Sequence, residues 1–453
     1  MHTKNRVLHI SFIAVLILFG SCETQENKET IQSEKVSNKS TKKITIADVE
    51  RGIRANIDAR TKEGDGYFNF TNDTTDFSLK LVRVHTEYLS VLKKDKFFAC
   101  VDLATEDGDV YDMDFFLQGT RDDMHVTRTT LHKLNGKPYY SWKQKKDKTW
   151  FTVPVKNASN DLLGVIENAD EFTFNYKVKL PEINGQGKMW LPIAQSDRFQ
   201  TIELLSIKAP TEYIILNDAE YANSILFMKV DSMHSGQTIS INYKVNRIEK
   251  SPYKEKDPDL VKYLKPSSLM PVGARFSVLA DEILESKQAD SPLTKARALY
   301  DYVIENVRYA KQGVYGTGDA NYACDSKSGN CTEFHSLFIS LARSAGIPAR
   351  FAVGAAIPSS RDEGGVDGYH CWAEFYAEGK WWPIDISEAD KYTALATYYF
   401  GHHPANRIEF SRGRDISPDP LPKSGRINFL AYPVLEIEGK PDLVETTFTF
   451  KRN

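Results

Sequence analysis

Hydrophobic positions change their period several times along this chain. Between Ile46 and Arg60 the apolar residues Ile46, Val49, Ile53 and Ile57 recur at helical spacing, with Asp48 and Glu50 in the first turn. That pattern predicts one amphipathic helix. Alternating or β-branched runs follow at 77–84, 88–91, 97–103, 110–117 and 124–130, separated by Asn, Asp, Gly and Lys turns. A helix followed by antiparallel strands predicts a small α+β module over residues 45–150, with no catalytic constellation in it. Short strands return at 172–180, 201–207, 213–216, 225–230 and 238–245, which predicts a β-sandwich over 151–252. The Lys-, Pro- and Asp-rich stretch 251–271 reads as a linker.

Past residue 275 the helical period comes back. Phe276, Leu279 and Ile283 mark one helix, and Leu293, Ala296, Leu299, Tyr302, Val303 and Val307 a second, opened by Ser291-Pro292. A third helix begins around Asn330 and stops at Gly346, where Gly-Ile-Pro supplies a left-handed cap and a break. Strands are expected at 349–354, 369–376 and 381–386. The predicted architecture is multidomain α+β: the N-terminal module, the sandwich, a third unit over 253–400, and a C-terminal β extension over 401–453.

The first residues have another composition. Lys4 and Arg6 precede an apolar run from Ile10 to Phe19, then Gly20, Ser21 and Cys22. The run is short for a permanent span of a ~30 Å hydrocarbon core and reads as a signal peptide over 1–21. Leu18-Phe19-Gly20-Ser21-Cys22 resembles a bacterial lipobox, with Phe19 where the pattern usually has Leu. That resemblance implies lipidation of Cys22 and a protein exported to the bacterial cell envelope and anchored to the outer membrane, on its periplasmic or surface side. Residues 22–44 carry almost nothing apolar and should form a disordered tether. The 58 basic and 61 acidic residues leave a formal charge of -3, so no global field recruits nucleic acid.

The chemistry concentrates in the third unit. Cys331 lies on the side of the third helix that carries Phe334, Leu337, Phe338 and Leu341, in its first turn. Free N–H groups and the positive end of the helix dipole stabilise a thiolate there and can serve an oxyanion. A thiolate also needs an acid/base and a group that orients it. Tyr369-His370-Cys371-Trp372-Ala373-Glu374 and Trp381-Trp382-Pro383-Ile384-Asp385 read as strands joined by a turn at Glu378-Gly379-Lys380, an arrangement that can set His370 beside Asp385.

Here the chain resembles the transglutaminase-like superfamily, a papain-like group of cysteine enzymes. The resemblance rests on Gly329-Asn330-Cys331 at a helix start, Leu-Ala-Arg-Ser-Ala-Gly-Ile-Pro-Ala-Arg at 341–350, His-x-Trp-x-Glu at 370–374 and Trp-x-x-Asp ending at 385. The order Cys, His, Asp, at separations of 39 and 15 residues, fits as well. It covers mainly 290–390. Segments 407–410, 413–415 and 428–433 look like a C-terminal extension of bacterial members, and the β domain before the module, with Leu191-Pro192 and 242–247, is similar to domains that often precede it.

The resemblance implies Cys331 as nucleophile, His370 as acid/base, Asp385 as its orienter, and Tyr309 as possible oxyanion support. It implies a thioester route on peptide or carboxamide bonds of a protein or peptide substrate, with hydrolysis favoured over cross-linking. No calcium-loop spacing occurs, and no cofactor or metal is expected. Other readings attach to the same residues. His335, one turn after Cys331, could be the base by proximity but reads as structural. Cys324 and Cys371 could form a disulfide, and Cys324, Cys331, His370 and Cys371 could bind zinc, although no close Cys-x-x-Cys pair supports that. Strand alternation is expected to turn Cys371 away from the catalytic pair. The competing function is a non-catalytic exported binding or scaffold lipoprotein.

Overall fold

The computed structural model describes residues 44–452 apart from 73–74, 94, 148–149, 156–161, 312 and 314. The expected signal peptide over 1–21, the lipidation residue Cys22 and the tether up to Lys43 lie outside the described residues.

Thr45 opens helix Ile46–Glu63 with a capping box: its side chain takes the Asp48 N–H and Asp48 answers with its carboxylate. Val49, Ile53 and Ile57 are buried on a six-stranded antiparallel sheet whose strands follow chain order, Phe68–Asn72, Thr75–Lys93, Lys96–Ala104, Val110–Gly119, Met124–Leu134 and Lys137–Pro138. Val101, Leu103, Met113, Phe115 and Leu117 face the helix. The runs at 77–84 and 88–91 belong to one strand, irregular between Leu81 and Arg83 and again between His85 and Ser90. A bulge breaks the period-2 pattern without ending the ladder, so one strand reads as two.

Two five-stranded sheets come next and share one core. The first runs Tyr213–Asn217, Ser224–Val230, Gly187–Ile193, Val434–Ile437, Lys440–Asp442; the second runs Gln200–Lys208, Thr238–Ile248, Ala169–Lys179, Glu445–Arg452, Glu363–Val366. Phe174, Tyr176, Met189, Leu191, Leu226, Ile241, Phe448 and Phe450 lie in that core. The strands at 434–452, expected in a separate extension, are members of these sheets, and Glu445–Arg452 pairs with Ala169–Lys179 along its whole length. Alternation shows that a segment is a strand; it cannot name a partner so distant in sequence. Gly187–Ile193 is a further strand that Pro192 disguises. Proline offers no ladder donor, but pairing with Val434–Ile437 has already ended at Trp190.

In the remaining part, helices Arg275–Ser286, Pro292–Asn306, Ala320–Ser326 and Cys331–Ser344 pack with a four-stranded antiparallel sheet in the order Lys380–Ile384, His370–Ala377, Ala349–Ala356, Arg407–Arg412. Every residue of the last of these helices from Cys331 to Arg343 is buried, which makes it the central element. Strand Arg407–Arg412 also comes from beyond residue 400, and its Ile408 and Phe410 join the core of the paired sheets. The chain is therefore mixed α+β with several sheets, and its sequence-distant strands tie the parts together.

Phe448 is 2% exposed and its ring meets Phe174, Tyr176 and Phe410 with centroids 4.8 to 5.6 Å away. Phe448→Ala should destabilise the chain by about 3–5 kcal/mol through lost burial and a cavity. Urea unfolding followed by tryptophan fluorescence checks this; a loss below about 1 kcal/mol would mean that the last strand is dispensable to the core.

Candidate active site

The chain enters the site through a short parallel pairing of Arg308–Tyr309 with Ser328–Gly329. Asn330 then caps the helix: its Oδ1 accepts the Thr332 N–H at 2.9 Å, and the Glu333 carboxylate accepts the Asn330 N–H at 2.9 Å. This capping box fixes Cys331 as the first helical residue. The other oxygen of the fully buried Glu333 accepts the N–H groups of Gly316 and Gly318 at 2.9 and 2.7 Å, which pins the preceding loop over the helix start. Arg414 holds the same loop by donating to Ser336 Oγ and to the Thr317 and Gly318 carbonyls. Gly318 has φ +66°, and a Cβ there would lie within 3.0 Å of the Arg414 guanidinium, so glycine is required.

His370 is the first residue of strand His370–Ala377 and pairs with Gly354. The hairpin to Lys380–Ile384 turns at Glu378 and Gly379, both at positive φ. Its register ends at Ala373 opposite Ile384, so His370 and Asp385 are not cross-strand neighbours. Asp385 lies outside the strand expected over 381–386. It is the N-cap of helix Ile386–Ala389, its Oδ1 accepting the Glu388 N–H and the Ser387 hydroxyl, both at 3.1 Å. That turn aims Oδ2 at His370 Nε2, 2.6 Å away, and Arg407 Nη2 donates to the same oxygen at 3.2 Å.

With Nε2 engaged by Asp385, the other ring nitrogen is left for Cys331, which lies near enough to act on the His370 charge. Burial works against a charged imidazole, but the Asp385 carboxylate, and then Cys331, push the His370 pKa up to about 10. Cys331, 2% exposed, is held well below the usual thiol range by a hydrogen bond from Cys371 and by the hydrogen bond and charge of His370, against the effect of burial. Both shifts favour a thiolate beside an imidazolium. Asp385 also stays well below the usual carboxylate range: burial opposes ionisation, and the charges of His370 and Arg407 outweigh it.

Cys371 corrects an expectation. Alternation does hold, since Ala373 and Phe375 join the core beneath the helix. That is the face on which Cys331 sits, so alternation brings Cys371 to the thiolate, while His370 reaches it from the strand's end. Cys324 instead contacts Arg275 Nη2 at 3.1 Å, and all four described cysteines are free, so Cys324 and Cys371 form no disulfide. The two cysteines lie apart, and among the described residues the set Cys324, Cys331, His370 and Cys371 is not gathered as metal donors.

His335 is fully buried. Its Nδ1 donates to the Cys331 carbonyl at 2.7 Å and its Nε2 accepts the Ile386 N–H at 3.0 Å, so both nitrogens are engaged by backbone and the ring is the neutral tautomer. Burial depresses its pKa accordingly. It ties the helix carrying the thiol to the turn carrying Asp385. Tyr309 is 41% exposed beside Phe334, and burial followed by the nearby Cys331 charge raises its hydroxyl pKa. Tyr369, missed in sequence, accepts the Asn330 amide with its hydroxyl at 3.3 Å. Sequence reasoning placed Arg407 and Arg414 in a C-terminal extension and gave neither a role at this site.

Residues 278–386 match the family model of the transglutaminase-like superfamily and form a transglutaminase-like domain. An uncharacterised protein of Haemophilus influenzae is 26% identical over 322 residues, spanning 60% of this chain and 86% of the relative. The crystal structure of a candidate cysteine protease from Cytophaga hutchinsonii aligns over 63% of this chain and 99% of its own, with 14% identity and a TM-score of 0.41. That of a candidate protease from Parabacteroides distasonis aligns over 64% and 63%, with 11% identity and a TM-score of 0.22.

The pair sets a pH window. Folded His370 keeps its proton to about pH 10 against an ordinary value of 6.5, so its contribution to stability is full below about 6.5 and is lost as pH rises through 10. Cys331 runs the other way: its contribution is present above the ordinary 9.0 and is lost as pH falls through its depressed folded value. Below about pH 9 and above the depressed Cys331 value the two slopes oppose each other. Alkylation of Cys331 by iodoacetamide, followed by mass spectrometry of its peptide, should therefore be flat over that window. In His370→Ala it should rise toward pH 9. An unchanged profile in the variant would show that the imidazole does not hold the thiolate.

Proposed function

Starting from a transglutaminase-like domain at 278–386, we propose that this chain is a thiol enzyme acting on peptide or carboxamide bonds, with Cys331 as nucleophile, His370 as acid/base and Asp385 as its orienter. The observation that carries the reading is a thiol in the first turn of a buried helix, within electrostatic reach of an imidazole whose Nε2 lies 2.6 Å from a buried carboxylate. Cys331 Sγ attacks the carbonyl carbon and the C–N bond breaks as His370 passes its proton to the departing amine or ammonia. His370 then takes a proton from water, whose oxygen attacks the thioester; the acid leaves and the thiolate and imidazolium are restored. The Cys331 N–H, without an intrahelical acceptor in the first turn, is the main oxyanion donor, and the Tyr309 hydroxyl assists it.

Hydrolysis is favoured over cross-linking because the thiol is only 2% exposed. Once an acyl group fills the approach, water needs no further opening, whereas a lysine acceptor does. Cys22 lipidation would place this activity on protein or peptide substrates at the cell envelope.

Peptide substrates assayed for amine and ammonia release, with a fluorescent primary amine as competing acceptor, test the proposal. Turnover should vanish in Cys331→Ala while circular dichroism shows the variant still folded, release should exceed amine incorporation, and Tyr309→Phe should lower kcat by up to ~10²-fold. Absence of Cys331-dependent turnover, and of Cys331-dependent labelling by a thiol-reactive amide probe, would favour the binding or scaffold reading.

A further inference from the structure

The sheet of the N-terminal module has two buried faces of opposite character. Ala99, Val101, Met113 and Phe115 form the core with helix Ile46–Glu63. Alternation turns their neighbours Cys100, Asp112 and Asp114 to the other face, where Cys100 and Asp114 stand directly opposite each other on adjacent strands. His132 joins them through a bulge. The register with Met124–Leu134 slips between Asp112 and Met113, whose partners are Lys133 and Leu131, leaving His132 as the extra residue. All four are buried, at 6%, 5%, 0% and 8% exposure in the order Cys100, Asp112, Asp114, His132.

Each carboxylate is divided in the same manner. Asp114 Oδ2 accepts the Tyr140 hydroxyl at 2.5 Å and Trp142 Nε1 at 2.9 Å, and Asp112 Oδ2 accepts Lys133 Nζ at 2.7 Å. The Oδ1 atoms turn inward. Asp114 Oδ1 lies 3.4 Å from Cys100 Sγ and 3.4 Å from His132 Nδ1; Asp112 Oδ1 lies 3.8 Å from His132 Nδ1. Asp112 Oδ1 and His132 Nδ1 lack any hydrogen-bond partner of good geometry despite their burial. An orphaned acceptor and an orphaned ring nitrogen aimed at one point, with outer donors fixing the ligands, is the arrangement that surrounds a bound cation.

We propose that Cys100, Asp112, Asp114 and His132 form a closed, structural site for one zinc-class divalent cation. The four donor atoms already lie within 4.8 Å of one another. Ligand bonds of ~2.0–2.3 Å around a tetrahedral zinc place donors roughly 3.3–3.7 Å apart, so little closure is needed. One sulfur, one nitrogen and two oxygens suit a borderline-soft ion rather than magnesium or calcium. The thiol loses its proton on binding, and the dication with Lys133 then balances three anionic ligands. No position is left open for water, so the ion would brace the sheet and the hairpin of Tyr140–Gln144 and Trp150–Pro154 that covers it. Cys and His spacing along the chain does not show this set, which is spread over three strands.

The test uses the full chain, stripped with chelator and titrated with Zn2+ and, separately, Co2+. One equivalent of Zn2+ should bind and raise the melting temperature, and the Co2+ form should show a thiolate-to-cobalt absorption band. Cys100→Ser should abolish that band and weaken Zn2+ at least 10-fold, whereas Cys331→Ala should keep both. Should Cys100→Ser fail to fold, X-ray absorption of the zinc-loaded wild type decides: one sulfur among four ligands supports the site, and none or two overturns it. Absence of Zn2+ binding by the folded wild type, or binding lost in Cys331→Ala and kept in Cys100→Ser, overturns it as well. The site is separate from Cys331, so neither result bears on the proposed thiol chemistry.

Discussion

Asp385 carries its charge with no exposure to water, and a carboxylate left alone in such a place costs several kcal/mol. Much of the surrounding structure answers that cost. His370 and Arg407 donate to one oxygen; Ser387 and the Glu388 backbone donate to the other. His335 reaches toward it across 3.7 Å while holding the Cys331 carbonyl. The groups that satisfy the carboxylate come from the central helix, the hairpin, the short capped helix and a strand beyond residue 400. Because each is fixed against the same charge, the imidazole is fixed against the thiol.

A second charged layer ties this sheet to the paired sheets. Glu374 accepts Lys250 Nζ at 3.0 Å and Arg350 Nε at 2.6 Å, and Glu409 pairs with Arg412 and lies 3.7 Å from Lys250. Gln200, from a strand of the paired sheets, accepts the Glu409 N–H and the Arg247 guanidinium. Strand Arg407–Arg412 thus serves three roles: it closes the four-stranded sheet, places Arg407 at Asp385, and inserts Ile408 and Phe410 into the neighbouring core. A displacement of the sheets would be felt at the carboxylate.

Legibility in the sequence followed the range of each interaction. Helix starts were plain where first-turn carboxylates, a proline at the first position or a 3.6-residue period lay within a few residues, as at Ile46, Ser291-Pro292 and Asn330. Strands were plain unless a bulge or proline interrupted alternation, as in Thr75–Lys93 and Gly187–Ile193. Cys331, His370 and Asp385 stood out because residue type, order and spacing carried them, and the fold sets His370 Nε2 2.6 Å from Asp385 with Cys331 near by.

The sequence by itself determined the longer helices, most of the strands and which three residues to look at, since local backbone preference and the period of burial are written within a few turns of chain. The tertiary structure decided the rest: that Asp385 is a helix cap aimed by its turn, that Cys371 faces Cys331, that Arg407 holds the carboxylate, and that Cys100, Asp112, Asp114 and His132 bring their donor atoms together. These depend on pairings between strands far apart in sequence and on charges that must find partners once water is excluded. Neither condition exists until the chain has folded.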